Sequence, residues 1–144
     1  MTPDDLALKA TQAMWDGDNA TQHLGMTLSN VKPGQATMSM IIRPEMTNGH
    51  KTCHGGYIFT LADSAFAFAC NTYNQRTVAQ MASVSFLAPA YQGDTLTATA
   101  TEVWKQGRGG IYDVQVTNQH GTKIAEFRGH SRTVKGTHLP ENPE

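Results

Sequence analysis

The chain has 144 residues, the length of one domain, and can bury a core without disulfides or metal. Its 39% apolar and 16% charged residues exclude a disordered or bilayer-embedded polypeptide. A formal net charge of -1, with no basic or acidic block, excludes nucleic-acid binding driven by counterion release.

Thr2-Pro3-Asp4-Asp5 reads as a helix start, with Thr as cap, Pro in the first turn and acids at the positive end of the dipole. Leu6, Ala10, Ala13 and Met14 carry that helix to Gly17. Nothing in Met1–Asp18 has the apolar core of a targeting segment, and the mainly apolar run Tyr57–Cys70 is too short to span a bilayer. The two cysteines, Cys53 and Cys70, sit roughly 25 Å apart if they share a helix, too far to bridge. The expectation is therefore a reducing, cytoplasmic setting and no membrane.

His23 to Val31 is expected as a short strand, and Lys32-Pro33-Gly34 as a turn. From Gln35 to Arg43, Ala36, Met38, Met40 and Ile42 recur at period two, the pattern of a half-buried strand that Pro44 closes. A loop to Lys51 leads into a long apolar helix from about His54 to Tyr73. Strands follow at Val78–Leu87 (Val84 and Phe86 on one face, Ser83 and Ser85 on the other), Thr95–Gln106, Ile111–Asn118 and Lys123–Val134. Tight turns at Tyr91–Asp94, Gly107–Gly110 and Gln119–Thr122 join them and make the sheet antiparallel. Residues 1–135 form one domain with an N-terminal helix, and 136–144 form a flexible tail. One apolar helix against one curved sheet is an α+β, two-layer domain.

Chemistry concentrates in Asn48–Asn74. Between Lys51 and Arg76 the only formal charge is Asp63, in the middle of the apolar helix. A carboxylate there is costly unless it is solvated, paired or used. Gly55 and Gly56 leave the helix N-terminus, with its unsatisfied N–H donors, sterically open. They form an oxyanion hole, or they serve close packing of the helix start. Asp63 is either satisfied by Ser64 or Thr60 or used in chemistry. The Gly55 N–H and Asp63 lie about 12 Å apart along one helix, so one reacting carbonyl cannot touch both in a single chain. If both serve one site, a second copy brings its helix antiparallel across a two-fold axis, creating two equivalent sites.

Asn48-Gly49-His50, Cys53-His54-Gly55-Gly56, Leu61-Ala62-Asp63, Phe86-Leu87-Ala88-Pro89 and Gly93-Asp94 resemble the hotdog-fold acyl-CoA thioesterases, most of all the phenylacetic-acid-degradation type. The resemblance runs on through Tyr112-Asp113 to Phe127-Arg128-Gly129. It implies a hotdog fold, with a central helix wrapped by an antiparallel sheet. It implies homodimers with sites at the interface, usually paired into homotetramers. It also implies hydrolysis of a coenzyme A thioester, aryl-acetyl in type, without metal or organic cofactor. By position, Asp63 matches the catalytic carboxylate and Gly55 the N–H that polarises the thioester carbonyl. Asn48 matches the polar side chain that places substrate or water, and His54 a hydrogen-bonding histidine. Gly56, Ser64 and Arg128 are further candidates for substrate contact. Two departures stand out: Ala88 where family members often carry Arg, and Ala67 where some relatives carry a hydroxyl.

Asp63 then activates a water or attacks the carbonyl itself. The rivals are an enoyl-thioester hydratase of the same fold, whose local motif is missing, and a non-catalytic acyl-CoA-binding protein in which Asp63 is structural. Cys53 beside His54 as a nucleophile–base pair is a weaker reading because neighbours at a helix start seldom have the needed geometry, and a metal held by His50, Cys53 and His54 is weaker because the sequence has no second ligand cluster.

Overall fold

The computed structural model describes residues 1–140. Helix α1 (Pro3–Asp16) begins as expected: the Thr2 hydroxyl accepts the Asp5 N–H at 3.1 Å, and the Asp5 carboxylate accepts the Thr2 N–H in return. The strand expected from His23 starts later. Asp18 caps a second short helix, α2 (Asn19–His23), by accepting both the N–H and the hydroxyl of Thr21. Gly25, at φ +72°, then turns the chain into β1 (Thr27–Lys32). A local cap outcompetes strand propensity here, because its hydrogen bonds form within one turn.

The remaining elements are β2 (Gln35–Ile41), a 3-10 turn (Pro44–Met46), α3 (Gly55–Cys70), β3 (Thr77–Phe86), β4 (Thr95–Gln106), β5 (Gly109–Thr117) and β6 (Lys123–Thr133). All strand pairs are antiparallel, in the order β1-β2-β4-β5-β6-β3. Period-two alternation sets the inner face. Ala36, Met38 and Met40 of β2, Leu96, Ala98 and Ala100 of β4, and Tyr112, Val114 and Val116 of β5 are all buried.

Helix α3 lies across that face. Ile58, Leu61, Ala62, Ala65, Phe66, Phe68 and Ala69 are buried. Phe66 packs at 5.7 Å between ring centroids from both Tyr112 and Phe127, and burying each such ring stabilises by about 2–3 kcal/mol. Gly129 makes this possible: a Cβ there would sit 2.6 Å from the Phe66 ring. Trp15 packs on Phe68 and so anchors α1, whereas Trp104 is 47% exposed on the other side of the sheet.

The segment expected as a flexible tail is tied down over 136–139. The Arg76 N–H donates to the Gly136 carbonyl at 3.0 Å, and the N–H groups of His138 and Leu139 both donate to Asn74 Oδ1. His138 Nε2 lies 2.6 Å from Oδ1 of Asn71. Asn71 is 2% exposed, and its side-chain amide also donates to the carbonyls of Ala67 and Thr77. Residues 141–144 of that expected tail lie outside the described residues. Among the described residues, no helix is long and apolar enough to cross a membrane.

Replacing Gly129 by Ala should destabilise the fold by about 1–3 kcal/mol, because the added methyl collides with Phe66. A shift of the urea midpoint at unchanged slope checks it. Burial, and secondarily Arg76, hold the His138 pKa below its ordinary 6.5, so the unfolded chain binds the extra proton first. Stability attached to neutral His138 is therefore full above about pH 6.5 and is lost as pH falls through the lower folded value. Urea unfolding of His138→Gln at neutral and mildly acidic pH should lack this component of acid sensitivity.

Candidate active site

The loop before α3 is shaped by Asn48. Its side-chain oxygen accepts the N–H groups of His50 (2.9 Å) and Thr52 (3.2 Å), and its own N–H donates to the Thr52 carbonyl. The carboxamide oxygen is thus committed to the loop, and only the NH2 group can serve a ligand. Cys53 then bonds through its N–H to the Ala90 carbonyl, and His54 to that of Met46, so the loop is stitched on both sides. His54 is the N-cap residue; its side chain is exposed and makes no capping bond. Cys53 is buried and its thiol is pushed up to about 11 by desolvation, which removes it as a nucleophile near neutral pH.

Helix α3 opens at Gly55. Neither the Gly55 nor the Gly56 N–H has an acceptor among the described residues. The two glycines differ in their surroundings. A Cβ on Gly55 would stand 2.8 Å from the Phe86 ring, while one on Gly56 would meet nothing. Close packing at the helix start therefore holds for Gly55, which admits an aromatic ring and, beside it, presents an open N–H. A groove of about 510 Å³ runs past this point, lined by Thr52, Gly55, Ile58 and the Phe86–Ala90 segment. Its walls are mainly apolar, and among the described residues they carry no charged side chain.

Asp63 is not in that groove. It lies half-buried on the face of α3 left open by the sheet, together with Gly56, Thr60 and Ala67, which recur at three- to four-residue spacing. The side chains on this face are short. The local partners considered for Asp63 are engaged elsewhere: Thr60 donates to the Gly56 carbonyl, and the Ser64 hydroxyl lies 3.1 Å from that of buried Thr21. Among the described residues nothing donates a hydrogen bond to the Asp63 carboxylate. Desolvation raises its pKa above 3.8.

The structure thus brings Asn48, His54, Gly55 and Gly56 together at one end of α3 and leaves Asp63 and Ser64 two turns further on. Arg128 is not brought to either place. It forks onto Asp113, at 2.6 and 2.8 Å, and with Ser83, Ser85 and Glu126 lines a separate pocket on the side of the sheet away from α3. Sequence reasoning missed Phe86, Ile58 and Thr52 as groove walls. A signal was present for Phe86, a strand-end aromatic just before Pro89, but its contact with Gly55 spans 31 positions of sequence.

Residues 50–125 match the model of the thioesterase superfamily. The chain belongs to that superfamily. It is 42% identical to acyl-coenzyme A thioesterase PaaI of Escherichia coli over 91% of this chain and 94% of the relative. It is 30% identical to human acyl-coenzyme A thioesterase 13 over 84% of this chain and 89% of that one. The solved structure of E. coli PaaI, described as from the phenylacetic acid degradation operon, superposes with a TM-score of 0.93 at 38% identity, covering 94% of this chain and 99% of its own. The hotdog fold and the thioesterase class expected from the sequence are both shown by these likenesses.

A raised pKa means that ionised Asp63 opposes folding: the protonated form favours the native state below about pH 3.8, and that advantage is gone once pH exceeds the folded value. Asp63→Asn keeps the shape and removes the buried charge. Its thermal midpoint at neutral pH should rise by a few degrees above that of the wild type in calorimetry.

Proposed function

We propose that this chain hydrolyses acyl-coenzyme A thioesters, aryl-acetyl thioesters such as phenylacetyl-CoA in particular, at two equivalent sites shared between two copies. The observation that carries the reading is Asp63, a desolvated carboxylate with no donor on the uncovered, short-side-chained face of α3 in a thioesterase-superfamily chain. The aryl-acetyl preference rests on the likeness to PaaI.

The dimer rests on two features. The Gly55 N–H and Asp63 are separated by about 12 Å along one helix, too far for one carbonyl. Among the described residues strand β3 pairs only with β6 and its other edge is unpaired, with Val78, Met81 and Phe86 each about half exposed. Pairing β3 of two copies antiparallel continues the sheet and lays the two α3 helices side by side in opposite directions. Two such dimers would form a homotetramer. A row of outer-face side chains, Met81, His130, Ile111 and Trp104, is the surface we assign to that second contact.

In the site so formed, the Gly55 N–H and the dipole of α3 bind the thioester oxygen as charge develops on it. His54 and the Asn48 NH2 group flank the acyl carbon and hold substrate or water. Asp63 of the second copy takes the proton of a water whose oxygen bonds the carbonyl carbon, or bonds that carbon itself to give an anhydride that water then opens. In either case the C–S bond breaks and coenzyme A leaves as a thiolate, so little acid assistance is needed.

With phenylacetyl-CoA and a thiol-trapping dye, the wild type should release free thiol, and Asp63→Asn should lose at least about 10²-fold in kcat without losing its fold. An Asn variant with most of its activity would overturn the assignment. Because Asp63 must be ionised and its pKa lies above 3.8, kcat should decline on the acid side with a midpoint above that value. Comparing phenylacetyl, benzoyl and straight-chain thioesters tests the acyl preference, and sedimentation that finds an active monomer would remove the shared site.

A further inference from the structure

Coenzyme A carries several phosphate charges, yet among the described residues no cation lines the groove at Gly55. The charge that receives them must come from outside its walls. A second cavity, of about 360 Å³, lies where the start of β3 meets the C-terminal segment and α1. Arg76, Lys135 and His138 line it together with Met14, Val78 and Val134.

Arg76 is held in place there. Its N–H and carbonyl bond to Gly136 and Val134, and its Nε donates to the Thr137 carbonyl at 3.3 Å. Its side-chain stem runs over Gly136, where a Cβ would come within 3.0 Å of Arg76 Cδ. Gly136 adopts φ +115°, a conformation open to glycine. The guanidinium NH groups beyond Nε make no hydrogen bond among the described residues, and neither Arg76 nor Lys135 forms an ion pair there, unlike Arg43, Lys123 and Arg128. Both side chains are exposed, while His138 is neutral near pH 7 because burial and Arg76 depress its pKa.

Strand β3 connects the two cavities. It starts beside Arg76 and ends at Phe86, whose ring covers Gly55. With the midpoint of β3 on the two-fold axis proposed above, Thr77 of one copy faces Phe86 of the other. The cationic cavity of one copy then opens next to the Gly55 groove of its neighbour.

We infer that Arg76 and Lys135 of one copy bind the phosphates of the coenzyme A thioester whose carbonyl sits on Gly55 of the other copy. The inference rests on the dimer and the thioesterase reading of the preceding subsection. It gives the C-terminal segment a function: Gly136 and Thr137 fix the arginine that completes the substrate site of the neighbouring chain.

The test compares two thioesters of one acyl group, phenylacetyl-CoA and phenylacetyl-N-acetylcysteamine, which lacks phosphate. In Arg76→Glu/Lys135→Glu, KM for the CoA thioester should rise about tenfold or more, with kcat/KM for the phosphate-free thioester unchanged. KM of the wild type for the CoA thioester should rise with salt, and that of the variant should not. Arg76→Lys should retain most of the affinity for the CoA thioester. An unchanged KM for the CoA thioester in a folded, dimeric double variant overturns the inference, as does an equal loss on both substrates. So does a phosphate effect carried wholly by Lys51→Ala, the cation next to groove-lining Thr52. A wild type that hydrolyses neither thioester overturns the functional reading itself.

Discussion

The rise of an α-helix, about 1.5 Å per residue, is the constraint on which this molecule depends. It separates the open N–H at Gly55 from the carboxylate of Asp63 by two turns. The sheet covers the side of α3 that carries Ile58, Leu61, Ala65 and Phe66, and leaves the side that carries Asp63 without a cover. In the function proposed for this chain, these are the two halves of an acyl-transfer site that one copy would not join alone. In that proposal the outer edge of β3 and the short side chains around Asp63 are the features that would let a second copy do so.

The close contacts follow from the same requirement. A central helix wrapped by a curved sheet must let rings pass near backbone, and glycine allows it at Gly129 under Phe66 in the core and at Gly55 under Phe86 beside the groove. In the first case the missing Cβ serves stability. In the second it lets the ring pack and leaves a hydrogen-bond donor open beside the groove. Asp63 has no such double use. Its desolvation opposes folding, and the catalytic role proposed for it would account for its presence there.

The far end of α3 is managed differently. Asn71, nearly fully buried, bonds α3 to the first residue of β3 and to His138, which draws the C-terminal segment onto the domain and holds Arg76 against Gly136. The two ends of β3 thereby acquire distinct characters, apolar at Phe86 and cationic at Arg76. Antiparallel pairing about a two-fold axis is the operation that brings unlike ends together.

Much of this was legible from residue order. Alternation at Ala36, Met38 and Met40, the Thr2 cap, the hairpin turns and the lone Asp63 are local signals, and each element formed where those signals lie. The helix rise alone was enough to separate Gly55 from Asp63. What the sequence could not express were contacts between distant segments. The seating of Phe86 over Gly55, the fork of Arg128 onto Asp113 rather than toward the groove, and the docking of His138 on Asn71 each depend on which strands become neighbours. The start of β1 was lost to a cap bond at Asp18, because short-range hydrogen bonding there overrode β propensity. Local composition therefore determined the elements and the identity of the candidate groups. Only the tertiary structure decided their surroundings, because burial, close approach and pKa arise from residues that sequence keeps far apart.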